Sequence, residues 1–282
     1  MTEPGSQVSA ESPGVLFDLD GTLIDSVYQH VLAWQEALSG SGIDLSVWKI
    51  HRRIGMSGGL FVSALLRETG GSLSADEIRA LNLAHAEAYI RRRDTVRPLP
   101  GARELLATLT EHQVRWAIAT SGLAIAAQPA LDMLGLPPDT PLITRDQVRY
   151  AKPDPDLFLA AAARVGTDIH SAVVVGDSIW DLLAARRAGA LGVGLLSGGY
   201  GREELERAGA YRVYADPADL LLHLDEIGIR DLPPPLPATE MCRPARGGAD
   251  DHQRADPRGA AGRWKRPGLH SSLDLGQGRR EC

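Results

Sequence analysis

The sequence predicts an α/β chain: a doubly wound parallel sheet with helices on both faces and a block of helices inserted near its start. Three observations support this. Short apolar runs alternate with helical periodicity from about residue 114 to about residue 214. One further apolar run, Val15-Leu16-Phe17, stands apart near the beginning. Between it and the rest lies a helical span with no period-two alternation.

Taken in order, residues 1–12 are polar, with Gly, Ser, Glu and Pro, and read as a disordered arm. Val15-Leu16-Phe17 is a buried strand that runs into a cluster of Asp and Gly, so the first part of the core covers residues 13–25. Residues 26–99 are helical. Val31, Trp34, Ala37 and Leu38 share one face of a first helix, and Leu60, Ala64 and Leu65 share one of a second. Leu81, Leu83, Ala84, Ala88 and Tyr89 mark a third. Pro98-Leu99-Pro100-Gly101 ends the block and reads as a hinge.

The core resumes over residues 100–230. Residues 114–119, 142–143, 172–175, 192–196 and 211–214 read as strands, with helices at 125–134, 156–165 and 179–188 between them. In such a sheet the ligand sits beyond the carboxyl ends of the strands. From Pro233, Pro234, Pro235 and Pro237 onward the chain is rich in Arg, Gly, Asp and Pro. It has too little apolar surface to offset its chain entropy, so residues 231–282 read as a disordered tail.

The formal net charge of −6 argues against a nucleic-acid binder and suits a protein that handles small molecules. The two cysteines, Cys242 and Cys282, form no disulfide framework or metal cluster. The start has no apolar signal-peptide region, and no stretch approaches the roughly 18 apolar residues of a membrane helix. The expected compartment is the cytoplasm.

Four short motifs stand where strands end. Asp18-Leu19-Asp20-Gly21-Thr22-Leu23 follows the first strand. Its two acids lie two apart, so at an extended strand end both carboxylates project the same way. They repel unless a cation holds them or one is protonated; an Asp-Gly turn after a strand is also common by itself. Thr120-Ser121-Gly122 ends the next strand, where hydroxyls and helix-opening amides suit an anion, although Ser and Thr also cap helices routinely. Lys152-Pro153 precedes a helix; a lone loop lysine is usually only solvated. Gly176-Asp177-Ser178-Ile179-Trp180-Asp181 follows the strand at 172–175 and sets two acids one helical turn apart. Converging hard oxygen donors suit Mg²⁺, while each acid alone would also suit a helix start.

In this order, each after its own strand, the four motifs resemble those of the haloacid dehalogenase-like hydrolase superfamily, over roughly residues 14–225. The resemblance implies a Rossmann-like core with an α-helical cap, residues 26–99, inserted after the first motif. It implies Asp18 as the nucleophile that forms an aspartyl-phosphate and Asp20 as the acid and then the base. It implies Mg²⁺ held by Asp18, the backbone carbonyl of Asp20, and Asp177, with Asp181 supporting from behind. Thr120 and Ser121 would bind the phosphate and Lys152 would neutralise charge. The resemblance also makes Asp20 decisive: dehalogenases of this fold lack an acid there, and phosphonate-cleaving relatives carry a small residue. The expected reaction is therefore hydrolysis of a phosphate monoester of a small metabolite.

The cap resembles that of the phosphoglycolate phosphatase and β-phosphoglucomutase branch. Its segment from His51 to Gly59 is expected to reach the site, with Arg52 or Arg53 on a substrate carboxylate or second phosphate, or else solvated at a helix end. His30 matches a mutase cap histidine in place, or packs beside Trp34 and Tyr28. Mutases of this kind usually carry an arginine after the Gly-x-Ser of this loop, where this chain has Gly58. A phosphatase is therefore expected, with a phosphomutase as the alternative and a non-catalytic module of the same fold behind both.

Overall fold

The computed structural model describes residues 13–69 and 73–230; the expected arm at 1–12 and tail at 231–282 lie outside the described residues. In chain order the elements are β1 (Val15–Phe17), β2 (Ile24–Asp25), α1 (Val27–Gly40), α2 (Val47–His51), α3 (Gly58–Thr69), α4 (Ala75–Ile90) and β3 (Arg97–Pro98). They continue with α5 (Ala102–Glu111), β4 (Trp116–Ala119), α6 (Ala124–Leu134), β5 (Leu142–Ile143) and α7 (Asp156–Val165). The last are β6 (Val173–Gly176), α8 (Ile179–Ala188), β7 (Leu191–Leu195), α9 (Arg202–Ala208), β8 (Ala210–Tyr214) and α10 (Pro217–Leu221). No helix among them is long and apolar enough to cross a membrane.

Six strands form one parallel sheet in the order β5-β4-β1-β6-β7-β8. Counted within this sheet the order is 3-2-1-4-5-6, the Rossmann arrangement, and it reverses between β1 and β6. Every residue of β1 and β6 is buried, as strands covered on both faces must be. Side chains alternate between the faces. Val15, Phe17, Val173 and Val175 pack with α5 and α6 through Leu105, Leu109 and Leu131. Leu16, Val174 and Ala117 pack oppositely with Phe158 of α7 and Ala184 of α8.

The helices α1 to α4 bury their own cluster, which includes Val31, Trp34, Leu38, Ile50, Phe61 and Leu81. The chain enters and leaves this block through an antiparallel pair, Ile24 with Pro98 and Asp25 with Arg97. Two details refine the sequence reading. On α3, among the residues whose side chains are described, Phe61 and Val62 are buried and Leu60 and Ala64 half-buried, and the Leu65 side chain lies outside those described. Phe61 stacks on Trp34 of α1 with ring centroids 4.2 Å apart, and this contact turns the helix face. On α4, Leu81 and Ala88 face α1, whereas Leu83 lies two residues and about 200° further round and is 66 % exposed. The helices α2, α5, α9 and α10 have no counterpart in the sequence reading. Strand starts shift by up to two residues, as at Trp116.

Because β1 carries the site and Leu16 is fully buried against α7 and α8, Leu16→Ala is expected to cost about 2–5 kcal/mol. Urea unfolding would check this; a midpoint unchanged from wild type would contradict the packing described.

Candidate active site

The reversal of strand order between β1 and β6 opens the sheet at its carboxyl edge, and Asp18 and Asp177 follow these two strands directly. Both carboxylates are buried. Asp181 joins them from the first turn of α8, where a capping box fixes it. Its Oδ2 accepts from the Ser178 amide at 3.1 Å and the Ser178 hydroxyl at 2.5 Å. Gly176 provides the room, since a Cβ there would come within 2.3 Å of the Asp181 side chain. One oxygen from each of Asp18, Asp177 and Asp181 falls within 4.8 Å of the others.

Lys152 is fully buried, and its ammonium is bonded to Asp18 Oδ1 and lies 2.8 Å from Asp181 Oδ1. One cation therefore faces three carboxylates. Burial raises the pKa of Asp18 to about 7, with Asp181 and Asp20 adding to the rise and Lys152 opposing it. Burial also pushes Asp177 well above the usual carboxylate range, reinforced by Asp181 and Asp18. The Lys152 ammonium resists burial's pull and is raised by its two acidic partners. Uncompensated buried hard oxygen donors are what a divalent cation fits.

Asp177 is also held from the motif loop of Asp18. Thr22 donates to Asp177 Oδ1 at 2.9 Å. A Cβ on Gly21, which has φ +87°, would lie 2.5 Å from Asp177 Oδ2, and one on Gly198 would lie 1.8 Å from it. Asp20 is partly exposed, and both of its contacts are on Oδ1: Ser26 donates at 2.6 Å and His30 Nε2 lies at 3.2 Å. Burial opposes ionisation of Asp20, but His30 and Ser26 outweigh it and hold the carboxyl below its ordinary value. His30 in turn stacks on Tyr89, centroids 3.9 Å apart, and its Nδ1 is 3.2 Å from His85 Nε2. Burial holds His85 well below the usual histidine range, and His30 adds to that.

The structure thus brings together Asp18, Asp20, Lys152, Asp177 and Asp181, with Thr120 buried at the end of β4. Thr120 Oγ1 accepts from the Gly122 amide at 3.0 Å. Ser121 instead donates its hydroxyl to the Gly55 carbonyl of the helical block at 2.9 Å. Arg52 does not stand free over the site. It is bonded to Glu204 of α9, its guanidinium lies 4.3 Å from the centre of the Tyr200 ring, and its carbonyl accepts from the Tyr200 hydroxyl at 2.8 Å. Arg53 donates to the Lys49 carbonyl at 2.7 Å. Thr22, Ser26, His85 and Gly198 were not singled out by sequence. Thr22 meets Asp177 across 155 residues, a separation no local pattern reports.

Residues 13–189 match the haloacid dehalogenase-like hydrolase family. A phosphoglycolate phosphatase of Caulobacter vibrioides is 32 % identical over 74 % of this chain and 86 % of its own. Hexitol phosphatase A of Escherichia coli is 32 % identical over 62 % of this chain and 79 % of its own. A solved hydrolase from Pseudomonas syringae is 56 % identical, covers 77 % of this chain and 99 % of that one, and superposes with a TM-score of 0.76.

Asp18 and Asp177 both start from an ordinary 3.8 and are raised on folding. The native state therefore binds more protons than the unfolded chain from about pH 4 upward, and these groups make stability fall as pH rises through that window. Asp177→Asn removes one buried charge and keeps an oxygen for Thr22. In EDTA the variant should melt above wild type at pH 8, with the gap narrowing toward pH 4. A lower Tm at pH 8 would mean that the buried acids are not in conflict.

Proposed function

The chain belongs to the haloacid dehalogenase-like hydrolases, and we propose that it is a Mg²⁺-dependent phosphatase of small phosphate monoesters, such as phosphoglycolate or a sugar phosphate, acting through an aspartyl-phosphate on Asp18. The observation that carries this reading is the buried Asp18–Lys152 pair beside Asp177 and Asp181 at the strand-order reversal.

The oxygens divide the labour. Lys152 occupies Asp18 Oδ1, which leaves Oδ2 to attack phosphorus as the bond to the leaving oxygen breaks. Ser26 and His30 occupy Asp20 Oδ1, so Oδ2 is the oxygen that faces the reaction. The negative charge of the arriving phosphate opposes the lowering by His30 and Ser26 and lets Oδ2 carry a proton. Oδ2 gives that proton to the leaving oxygen before taking one from the hydrolytic water. Thr120 accepts from Gly122 and keeps its own proton for a phosphoryl oxygen, beside the Ser121 amide, which makes no backbone bond among the described residues. Lys152 neutralises charge on both nucleophile and phosphate. Asp18, the Asp20 carbonyl and Asp177 would hold Mg²⁺, which when bound supplies positive charge that offsets repulsion between the carboxylate and the phosphate. Asp181, committed to Lys152 and Ser178, positions rather than ligates.

In this reading the helical block, residues 26–99, is a lid that excludes water. The contacts Arg52–Glu204, Ser121–Gly55 and His51 Nε2 to the Gly198 carbonyl at 2.8 Å support a closed arrangement. His30 serves Asp20 rather than the substrate. At position 58, where a mutase would carry arginine, a Cβ would lie 2.1 Å from Asn82 Oδ1, so no side chain fits without displacing Asn82. That favours hydrolysis over phosphoryl return.

Phosphate release from a panel of monoesters tests the proposal. Release is expected with Mg²⁺, to be abolished by EDTA, and to fall roughly 10³-fold or more in Asp18→Asn. Release that survives both treatments, or conversion of β-glucose 1-phosphate to its 6-phosphate without release, would overturn it.

A further inference from the structure

Building on the phosphatase reading, we infer that the substrate carries a second anionic group, and that Arg145, Arg149 and Ser57 receive it in a groove beside Lys152. The groove has a volume of about 360 Å³, within the range of small-metabolite sites. One wall is the start of α3, with Ser57, Gly59 and Leu60, backed by Ile78 of α4. The other wall runs from Arg145 to Ala151, one residue short of the lysine that holds Asp18. Ser57 is two residues from Gly55, whose carbonyl takes the Ser121 hydroxyl. Each wall is thereby close along the chain to a residue that the phosphatase reading uses, Lys152 on one side and the Gly55 partner of Ser121 on the other.

The lining is cationic, with Asp146 near enough to Arg145 to feel its charge. Neither Arg145 nor Arg149 forms an ion pair with any carboxylate among the described residues. Arg145 is half-buried and uses one nitrogen on the Val148 carbonyl at 2.8 Å, which leaves its other donors. Arg149 is exposed and lies 5.1 Å from the Tyr150 ring centre. The neighbouring Asp146 is engaged by the Thr144 hydroxyl at 2.7 Å and the Ala124 amide at 3.3 Å.

A second, independent observation is Ser57. It lines the groove and is 4 % exposed, yet its hydroxyl has no hydrogen-bond partner among the described residues. That hydroxyl keeps some exposure of its own, so a ligand in the groove can meet it. Beside it, the first amides of α3 have no intrahelical acceptor, and this end of the helix carries partial positive charge with no acid in its first turn. A Cβ on Gly59 would meet nothing within 4 Å, so the groove is open there. Of the two sequence-based choices for this task, Arg52 is spent on Glu204 and Arg53 donates to the Lys49 carbonyl. A carboxylate or a second phosphate supplies the acceptors these donors need.

The test compares matched esters with Mg²⁺ present: phosphoglycolate against 2-hydroxyethyl phosphate, and a hexose 1,6-bisphosphate against its 6-phosphate. Wild type should prefer the doubly anionic member in at least one pair, and the pair preferred tells carboxylate from phosphate. In Arg149→Ala and in Arg145→Ala/Arg149→Ala, the ratio of kcat/KM between the members should fall about tenfold to hundredfold, the worth of a charge-assisted hydrogen bond. Arg149→Lys should restore part of it. A wild type that shows no preference, or a ratio unmoved in the double variant, overturns the inference while the phosphatase reading stands. If no ester is hydrolysed, that reading fails first, and calorimetry with phosphoglycolate and the bisphosphate still decides the groove. Weaker binding by the double variant than by wild type supports it; equal binding or none overturns it.

Discussion

Three carboxylates and one ammonium share a buried volume at the edge of the sheet, and the rest of the structure serves that imbalance. An ion moved out of water costs several kcal/mol even after relaxation. Lys152 offsets part of the cost by sitting between Asp18 and Asp181. It makes no direct contact with Asp177, which is compensated by a hydroxyl from Thr22 and, at a distance, by the Lys152 charge. The fold supplies the position of the acids through two adjacent strands, but not enough positive charge to settle them. Buried oxygen donors left in that condition suit a divalent cation, and their arrangement works against stability.

The sheet explains why so few residues suffice. At the point where strand order reverses, the loops after β1 and β6 diverge to opposite faces and leave their first residues facing a common space. Glycines then let the loops close on Asp177. Gly21 takes a positive φ that a side chain would resist, and Gly198 approaches nearer than any Cβ allows. The capping box of α8 holds Asp181 by the same economy, since the acid that completes the helix start also meets Lys152.

How much of this was legible in sequence depended on range. Val15-Leu16-Phe17 and Val173-Val174-Val175 announce themselves by composition, and the acids that follow each run mark strand ends. Asp18 and Asp177 were found this way, whereas Lys152 became a candidate only through the resemblance of the four motifs, since nothing in sequence spacing says that it reaches Asp18 from 134 residues away. The four-residue spacing of Leu60 and Ala64 marks α3 as a helix but does not reveal that Phe61 is the deeply buried residue, which the Trp34 ring of another helix decides. Arg52 looked available because Glu204, 152 residues later, sits in a helix with no visible link to it. The Leu105, Leu106 and Leu109 pattern of α5 was present and readable. Arg145 and Arg149 carried no signal, since loop arginines are ordinarily solvated.

The turn after β7 draws these strands together. Ser197 donates to the Gly21 carbonyl at 2.6 Å, Gly198 walls Asp177, and the Gly198 carbonyl meets His51 of the helical block. Gly199 leaves room for Tyr28 and His51, where a Cβ would come within 2.8 Å of the Tyr28 hydroxyl. Any movement of the block that breaks the His51 contact therefore acts on the same short turn that fixes Asp177 and the first motif loop. Tyr200 follows directly and clasps Arg52. Placement of the block and placement of the acids are thus a single mechanical problem, solved by four consecutive residues that none of the chemical motifs contains. The contacts of His51 and Arg52 gather on this flank, Ser121 meets Gly55 at the end of β4, and the arginine-lined groove lies between α3 and the 145–151 loop. The helical block is thus held at two loop ends of the sheet, and the turn after β7 is the one that also walls Asp177.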